Sequence, residues 1–425
     1  MIRINNTRII ISFIVCLLII SFSFNCQQIN KKRIQLDGKK LNYIMDSYVN
    51  DGIYPFLYAR IEDDYGVIYE HSVSNKKFLG DIDINGDTWM RIWSMSKLVT
   101  ISIAMDLVED GLLKVNDPVT QYIPEFKNLK IAVDKDGNSI SQSKVSIDDC
   151  PHEIVDKDSI MTIKHLMNHT AGFYYTYTKS TCLNSFFTSL NIPIVKDGQE
   201  LINKLTNISL VQQPGEAYHY GLNTTVLGLV IERITGKSLS DTFEKRIAEK
   251  LNLSGLQYTT PDGVDLLPAF TGRNGFLEVA GDGDLPLFGL HVPTYSPNQG
   301  LFLGGEGMLG TAKGYIEYLR LLFDPENSFL KRSTIDMMVS KPSDAVSEGG
   351  YQTDYAFYIT GQNDEYSNNV ITVGGYEFTK GWVDRENDII GVLFSQVNSA
   401  TDGDGLGSRM EKEFKKELYN QLKNQ

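Results

Sequence analysis

Basic clusters are missing from this chain. Its 425 residues carry 40 Lys and Arg against 53 Asp and Glu, a formal charge of −13. With no positive patch to offset that balance, nucleic acid is excluded as an expected partner, and the acidic excess implies solubility and no more. A long apolar run is missing too. The uncharged stretch from Ile9 to Phe24 falls short of the ~20 residues a membrane span needs. Placed behind Arg3 and Arg8, it reads as an export signal over residues 1–25, with an uncleaved anchor as the alternative. Cysteine is scarce, four in all. Cys26 stands in Ser23-Phe24-Asn25-Cys26-Gln27, a loose form of the box at which bacterial lipoproteins are cleaved and lipidated. Asn25 replaces the commoner Gly or Ala there, and Ser23 the commoner Leu. The expected localisation is the periplasm or cell envelope, with Cys26 as a candidate lipid attachment to a membrane. Cys16 leaves with the signal. Cys150 and Cys182 remain; in an exported protein they can pair, and two unpaired buried thiols are the alternative.

Several chemistries are excluded by what is incomplete. Internal repeats, low-complexity tracts and a glycine-rich phosphate loop are absent. His165 and His169 have the spacing of a zinc-binding His-Glu-x-x-His helix, but Leu166 stands where the general base belongs. They are expected to make structural hydrogen bonds. Gly405-Leu406-Gly407-Ser408 is not a nucleophile elbow, because Leu406 and Met410 occupy the two required glycine positions. No metal and no cofactor are expected.

What is present is a chain of alternating character. Residues 27–37 are polar, and 26–40 read as a tether. Leu41 to Val49 has helical periodicity, and the β-rich runs Phe56–Ile61 and Gly66–Val73 flank Glu62-Asp63-Asp64, a hairpin signal. An amphipathic helix runs from Ser94 to Val108 and stops at Asp110-Gly111. Residues 127–160 read as a polar surface excursion, 162–254 as mainly helical with Val226–Ile234 its longest stretch, and 255–300 as loop. Strand patterns return at Val370–Val373, Phe378–Val383 and Ile389–Gln396, and Met410–Leu422 closes the chain as a helix. This order predicts an α+β protein, with one antiparallel sheet built from both chain ends and flanked by helices. The middle forms a mainly helical lobe, and the site lies in the cleft between the two.

Ser-x-x-Lys spacing occurs four times, at Ser74–Lys77, Ser94–Lys97, Ser141–Lys144 and Ser328–Lys331. Three of these sit in polar, loop-like sequence. Ser94–Lys97 opens a helix directly after strand-rich sequence. Residues three apart share a helix face, so the lysine amine reaches the serine hydroxyl. The positive helix N-terminus favours an alkoxide, and burial is expected to push the lysine towards the neutral amine. A serine beside such a base is an activated nucleophile.

The run Asp87-Thr88-Trp89-Met90-Arg91-Ile92-Trp93-Ser94-Met95-Ser96-Lys97, followed by Leu107-Val108-Glu109-Asp110-Gly111 and Asp117-Pro118-Val119, resembles the serine β-lactamase-related family. That family includes class C β-lactamases, penicillin-binding DD-peptidases and family VIII carboxylesterases. Thr162 to Gly172 resembles its helix-plus-HTSG marker. Pro214-Gly215-Glu216 with Tyr220 and Leu227-Gly228 resembles its second catalytic segment, and Gly304 to Thr311 its glycine-rich segment. The likeness runs from about Leu41 to Gln396 and implies one domain over 41–425 with a DD-peptidase/β-lactamase-like fold. It implies Ser94 as nucleophile, Lys97 as base and Tyr220 as the tyrosine that shares the proton transfer. It also implies backbone N–H donors to the oxyanion from Ser94 and, after Gly374 and Gly375, from Tyr376.

Two departures bear on substrate. The second segment places Leu222 where lactam-recognising members carry Asn, and Asn223 falls one residue late. Val373-Gly374-Gly375 occupies the third motif, which usually brings Lys or His. Without that cation a substrate carboxylate has no partner, unless Lys380 reaches the cleft. The resemblance therefore points to a serine hydrolase working through an acyl-enzyme on small carboxylic esters, a small-molecule substrate. A D-Ala-D-Ala carboxypeptidase, a D-aminopeptidase or a weak β-lactamase is the alternative within the class. A non-catalytic penicillin-binding-like envelope protein is the alternative outside it.

Overall fold

The strand runs from opposite ends of the chain pair with each other. The computed structural model describes residues 33–143, 150, 153–176, 178–285, 287, 289, 291, 293–324, 328–342, 350–360, 369–398, 402 and 408–424. The expected export signal, Cys26, residues 27–32 of the expected tether and Gly405 to Gly407 lie outside these. Strands β1 (Phe56–Asp63) and β2 (Gly66–Ser74) form the expected hairpin, and the Asp63 carboxylate accepts the Tyr65 N–H at 2.7 Å to close its turn. The C-terminal strands are β3 (Gly350–Gln352), β4 (Tyr358–Thr360), β5 (Ile371–Gly375), β6 (Thr379–Asp384) and β7 (Ile389–Phe394). All seven make one sheet in the order β3-β4-β5-β6-β7-β1-β2, every pair antiparallel. The seam between the chain ends is β1 against β7, with Tyr58 opposite Phe394 and Glu62 opposite Ile390.

The terminal helices pack together. Helix α1 (Gly38–Asn50) is capped by the Asp37 side chain and buries Leu41, Met45, Tyr48 and Val49, spacings that fall on one helix face. The closing helix, Arg409–Lys423, is capped by Ser408 and buries Met410, Phe414, Leu418 and Tyr419 in the same way. Asp37 N–H donates to Gln421 Oε1 at 2.6 Å, and the Gln421 amide returns a bond to the Asp37 carbonyl, which ties the two helices end to end.

Helix α2 (Ser96–Glu109) differs from expectation. It is buried on every side from Ser96 to Leu107, and a 3₁₀ turn over Trp93–Met95 precedes it. An all-round buried helix belongs to the middle of a core, and here the sheet side and the helical lobe both cover it. In the lobe, α3 (Ile163–Met167) and α4 (Asn223–Thr235) carry the segments of interest; α4 ends at Gly236 in the left-handed conformation expected of a helix stop. The excursion over 127–160 is not merely surface: Lys130–Val133 pairs with Glu153–Asp156, and Ile131, Ala132 and Ile140 are buried. Helix α5 (Ala312–Phe323) packs on β6 and β7, and the closing helix is α6. Cys150 and Cys182 form a disulfide, with Cα atoms 4.7 Å apart.

Candidate active site

Ser94 is presented by strained backbone. Trp93, a bulky residue, has φ +47°, in the left-handed region that such residues rarely enter. The surroundings hold it there: Met90–Arg91 pairs with Leu309–Gly310, the Ile92 N–H bonds Met308 O at 3.2 Å, and the Met308 N–H bonds Ser96 Oγ at 3.1 Å. Outliers of this kind cluster at functional sites. One turn further, Lys97 Nζ donates to Ser94 Oγ at 3.1 Å. From the helical lobe, the Tyr220 hydroxyl donates to the same Oγ at 2.7 Å. The structure thus brings Ser94, Lys97 and Tyr220 together, with serine in the middle.

Tyr220 is placed by a buried polar layer. The His219 N–H bonds the His169 carbonyl at 2.8 Å, His169 Nδ1 meets Asn223 Nδ2 at 3.1 Å, and the His169 ring lies 4.7 Å from that of Tyr220. Gly221 has no room for a side chain, since a Cβ would strike the Phe173 carbonyl. Burial, with Lys97 and His219 nearby, lowers the His169 pKa well below the ordinary histidine value, so the ring is neutral. His165 serves elsewhere, completing a capping box with Thr162 at the start of α3. Among the described residues no cluster could hold a metal ion.

Lys97 has more partners than the sequence disclosed. Its Nζ also lies 2.9 Å from the Gly305 carbonyl, 3.2 Å from the Tyr175 hydroxyl and 3.2 Å from Glu306 Oε1. Glu306 is 1% exposed. Tyr175 O–H donates to its Oε1, and Thr225 O–H to its Oε2. This corrects the expected electrostatics. Burial does oppose the ammonium, but Tyr220 and Glu306 outweigh it by charge and hydrogen bonding, and the Lys97 pKa is raised above the ordinary lysine value. Glu306 was missed because it sits 209 positions from Lys97. The only local signal was one acid among the glycines of Gly304-Gly305-Glu306-Gly307.

The third motif lies on β5, along a cleft of roughly 350 Å³ that Ser94, Lys97, Tyr220 and Val373 to Tyr376 line. A Cβ on Gly375 would strike Thr379 Oγ1 and the Ile92 carbonyl, so this strand runs flush against the Ser94 turn. The Tyr376 ring packs edge-on to Trp93 at 5.3 Å. Leu222 is a correction. It is wholly buried at the start of α4 and does not line the cleft, and Asn223 is occupied with His169 and the Phe173 carbonyl. Lys380 does reach the cleft wall. It pairs in register with Gly374, and its ammonium lies 3.8 Å from Glu411 Oε2, whose other oxygen takes Lys415 at 2.7 Å.

The end-to-end antiparallel sheet, the buried helix behind Ser94 and the helical lobe define a β-lactamase-like fold. The chain belongs to the Beta-lactamase family, whose model matches residues 46–411. Among curated relatives it is 25% identical over 364 residues to a lovastatin esterase of Penicillium rubens, covering 78% of this chain and 85% of that one. It is 24% identical over 265 residues to ML-236A carboxylate methylbutanoyltransferase of Penicillium citrinum, covering 62% of this chain and 58% of that protein. Among solved structures it is similar to EstCE1, a hydrolase with promiscuous acyltransferase activity, at a TM-score of 0.70 and 20% identity over 90% of this chain and 98% of that one.

Proposed function

We propose that this chain is a serine hydrolase that works through an acyl-Ser94 intermediate on small, neutral carboxylic esters. The observation that carries the reading is Ser94 Oγ held between Lys97 Nζ at 3.1 Å and the Tyr220 hydroxyl at 2.7 Å. In acylation, Oγ attacks the ester carbonyl as its proton leaves for the Lys97–Tyr220 pair, and the pair returns a proton to the departing alkoxide. Water then repeats the sequence on the acyl-enzyme. Backbone N–H groups of Ser94 and Tyr376 are the proposed oxyanion donors, and such a donor is worth ~3 kcal/mol in the transition state. The esterase and acyltransferase relatives support acyl transfer as the chemistry. The Cys150–Cys182 disulfide supports export to an oxidising compartment.

The test is labelling with a fluorophosphonate probe beside hydrolysis of p-nitrophenyl butyrate. Wild-type protein should label and turn over, and Ser94→Ala should do neither while keeping its thermal midpoint. Equal turnover in the two proteins sinks the reading.

A further inference from the structure

We infer that Tyr218, Tyr358 and Tyr376 form a clamp for one aromatic ring, which makes aryl-bearing esters the substrate class of the cleft. The inference rests on the Ser94 hydrolase reading and narrows it. Tyrosine is common in this chain, 22 of 425 residues, so its presence alone decides nothing. Placement does. The three rings come from three separate segments: the irregular stretch before α4, strand β4 and the turn after β5. All three line the cleft that also holds Ser94. Tyr218 is 51% exposed and the other two are half-buried, so each keeps ring surface for a ligand.

Each ring has fixed support. The Tyr218 ring meets the His169 ring edge-on at 5.9 Å. The Tyr376 ring packs edge-on to Trp93, and its hydroxyl accepts a hydrogen bond from Arg273 Nη2 at 3.0 Å. Tyr358 stands opposite Thr372 in register, and cross-strand partners share a sheet face. Gly374, two residues on from Thr372, lies on that face too. Having no side chain, it leaves the strip between Tyr358 and Tyr376 clear on the β5 side. Rings held in place beforehand bind a ligand without first losing side-chain freedom.

The walls select by their electronic character. A tyrosine ring has a negative face and a positive edge, so a second aromatic ring gains from offset stacking or edge-to-face contact. That gain is about two- to tenfold per pair beyond the apolar area buried, and a saturated ring of the same size gains the area alone. The cleft volume of roughly 350 Å³ lies near the lower end for ligand sites, which suits one ring beside the ester group. The ring can belong to the acyl half or to the alcohol half of the ester.

The experiment compares two matched pairs of esters: benzyl with cyclohexylmethyl butyrate, and butyl phenylacetate with butyl cyclohexylacetate. Wild type, Tyr218→Leu, Tyr218→Phe, Tyr358→Leu and Ser94→Ala are assayed. The readout is the ratio of kcat/KM within a pair, which cancels any general loss of activity in a variant. Wild type should prefer the aromatic member of at least one pair by about fivefold or more, and that pair identifies the half of the ester that carries the ring. Tyr218→Leu and Tyr358→Leu should each cut the preference at least about twofold, and Tyr218→Phe, which keeps a ring, should retain it. Wild-type ratios near one in both pairs overturn the inference, as does a preference that survives both leucine variants. Binding of the same esters to Ser94→Ala, followed by NMR titration, separates the clamp from the reaction. There the aromatic member of one pair should again bind about fivefold more tightly, and equal affinities within both pairs overturn the clamp. Wild-type turnover no faster than that of Ser94→Ala, with the binding preference intact, means instead that the nucleophile is misassigned and that the clamp stands.

Discussion

At Lys97 two effects of opposite sign meet, and the sequence discloses one of them. Burial disfavours an ammonium, and a lysine three residues after a serine at a helix start is readily taken for a neutral base. The buried charge of Glu306 reverses the sign. Partition of the proton work between Lys97 and Tyr220 is therefore a matter of tertiary contacts. On the proposed sharing of the proton transfer between Lys97 and Tyr220, Tyr220→Phe should lower kcat/KM for p-nitrophenyl butyrate by ~10²–10⁴. Activity within tenfold of wild type would show that Lys97 or water takes the proton instead. Lys97→Arg should fail as well, for a steric reason: the ammonium sits 2% exposed among three close acceptors, a space shaped for a point charge rather than a planar fork. The residues that were legible are those whose chemistry is local. Ser94 and Lys97 are a turn apart, and Gly375 is glycine within a recognisable motif. Glu306, Tyr175 and Thr225 come from three separated segments, and nothing in any one of them names the other two. Leu222 was misread because motif alignment gives a position along the chain, while the direction of its side chain is set by packing at the start of α4.

Elements with a one-sided apolar pattern were the easiest to read. Helices α1 and α6 each bury a single stripe, and the β1–β2 hairpin carries its turn chemistry in Asp63. Helix α2 was placed correctly but its burial was not, because a pattern of small, hydroxyl and aliphatic residues resembles amphipathicity until both flanks are covered. Strands β3 and β4 are three residues each, too short to show any alternation. The end of α4 contains a strain that the sequence does not reveal. Glu232 bonds the Leu239 N–H at 2.8 Å and so caps the next helix, and burial, partly offset by that bond and by Arg233, pushes its pKa up to about 7. A carboxyl with a raised folded-state pKa binds more protons folded than unfolded between the unfolded value near 4.3 and about 7. Its contribution to stability is present below that window and is lost as pH rises through it. Glu232→Gln keeps an acceptor for Leu239 without the charge. It should raise stability at pH 8 by on the order of 2 kcal/mol, allowing for partial exposure, and by little at pH 4. Thermal unfolding at both pH values checks this; an equal effect at both would mean that Glu232 is ionised without penalty.

At the scale of the whole molecule, the order of motifs was enough to predict a sheet built from both chain ends with a site in the cleft between it and the helical lobe, because sheet pairing and cleft position follow from which segments must meet. The polarity of that cleft was harder, since it depends on where cations go after folding. Val373 leaves the third motif without a charged side chain, yet Lys380 arrives from the neighbouring strand, opposite Gly374. A Cβ on Gly374 would lie 3.3 Å from its Nζ. Its value to a substrate carboxylate depends on competition. Lys380 is only 4% exposed, and Glu411 already lies within ion-pair distance. An incoming carboxylate would have to shed its water and draw the ammonium away from that acid, at a cost of several kcal/mol. A short neutral ester sheds little water and gains apolar contact along Val373. The value of kcat/KM for p-nitrophenyl butyrate should therefore exceed that for nitrocefin by at least about tenfold, equivalent to ~1.4 kcal/mol. The opposite order, together with a selective loss of nitrocefin turnover in Lys380→Met, would mean that Lys415 holds Glu411 well enough for Lys380 to turn into the cleft. The cation missing from β5 would then be supplied by β6, and the cleft would be built for carboxylate-bearing substrates after all.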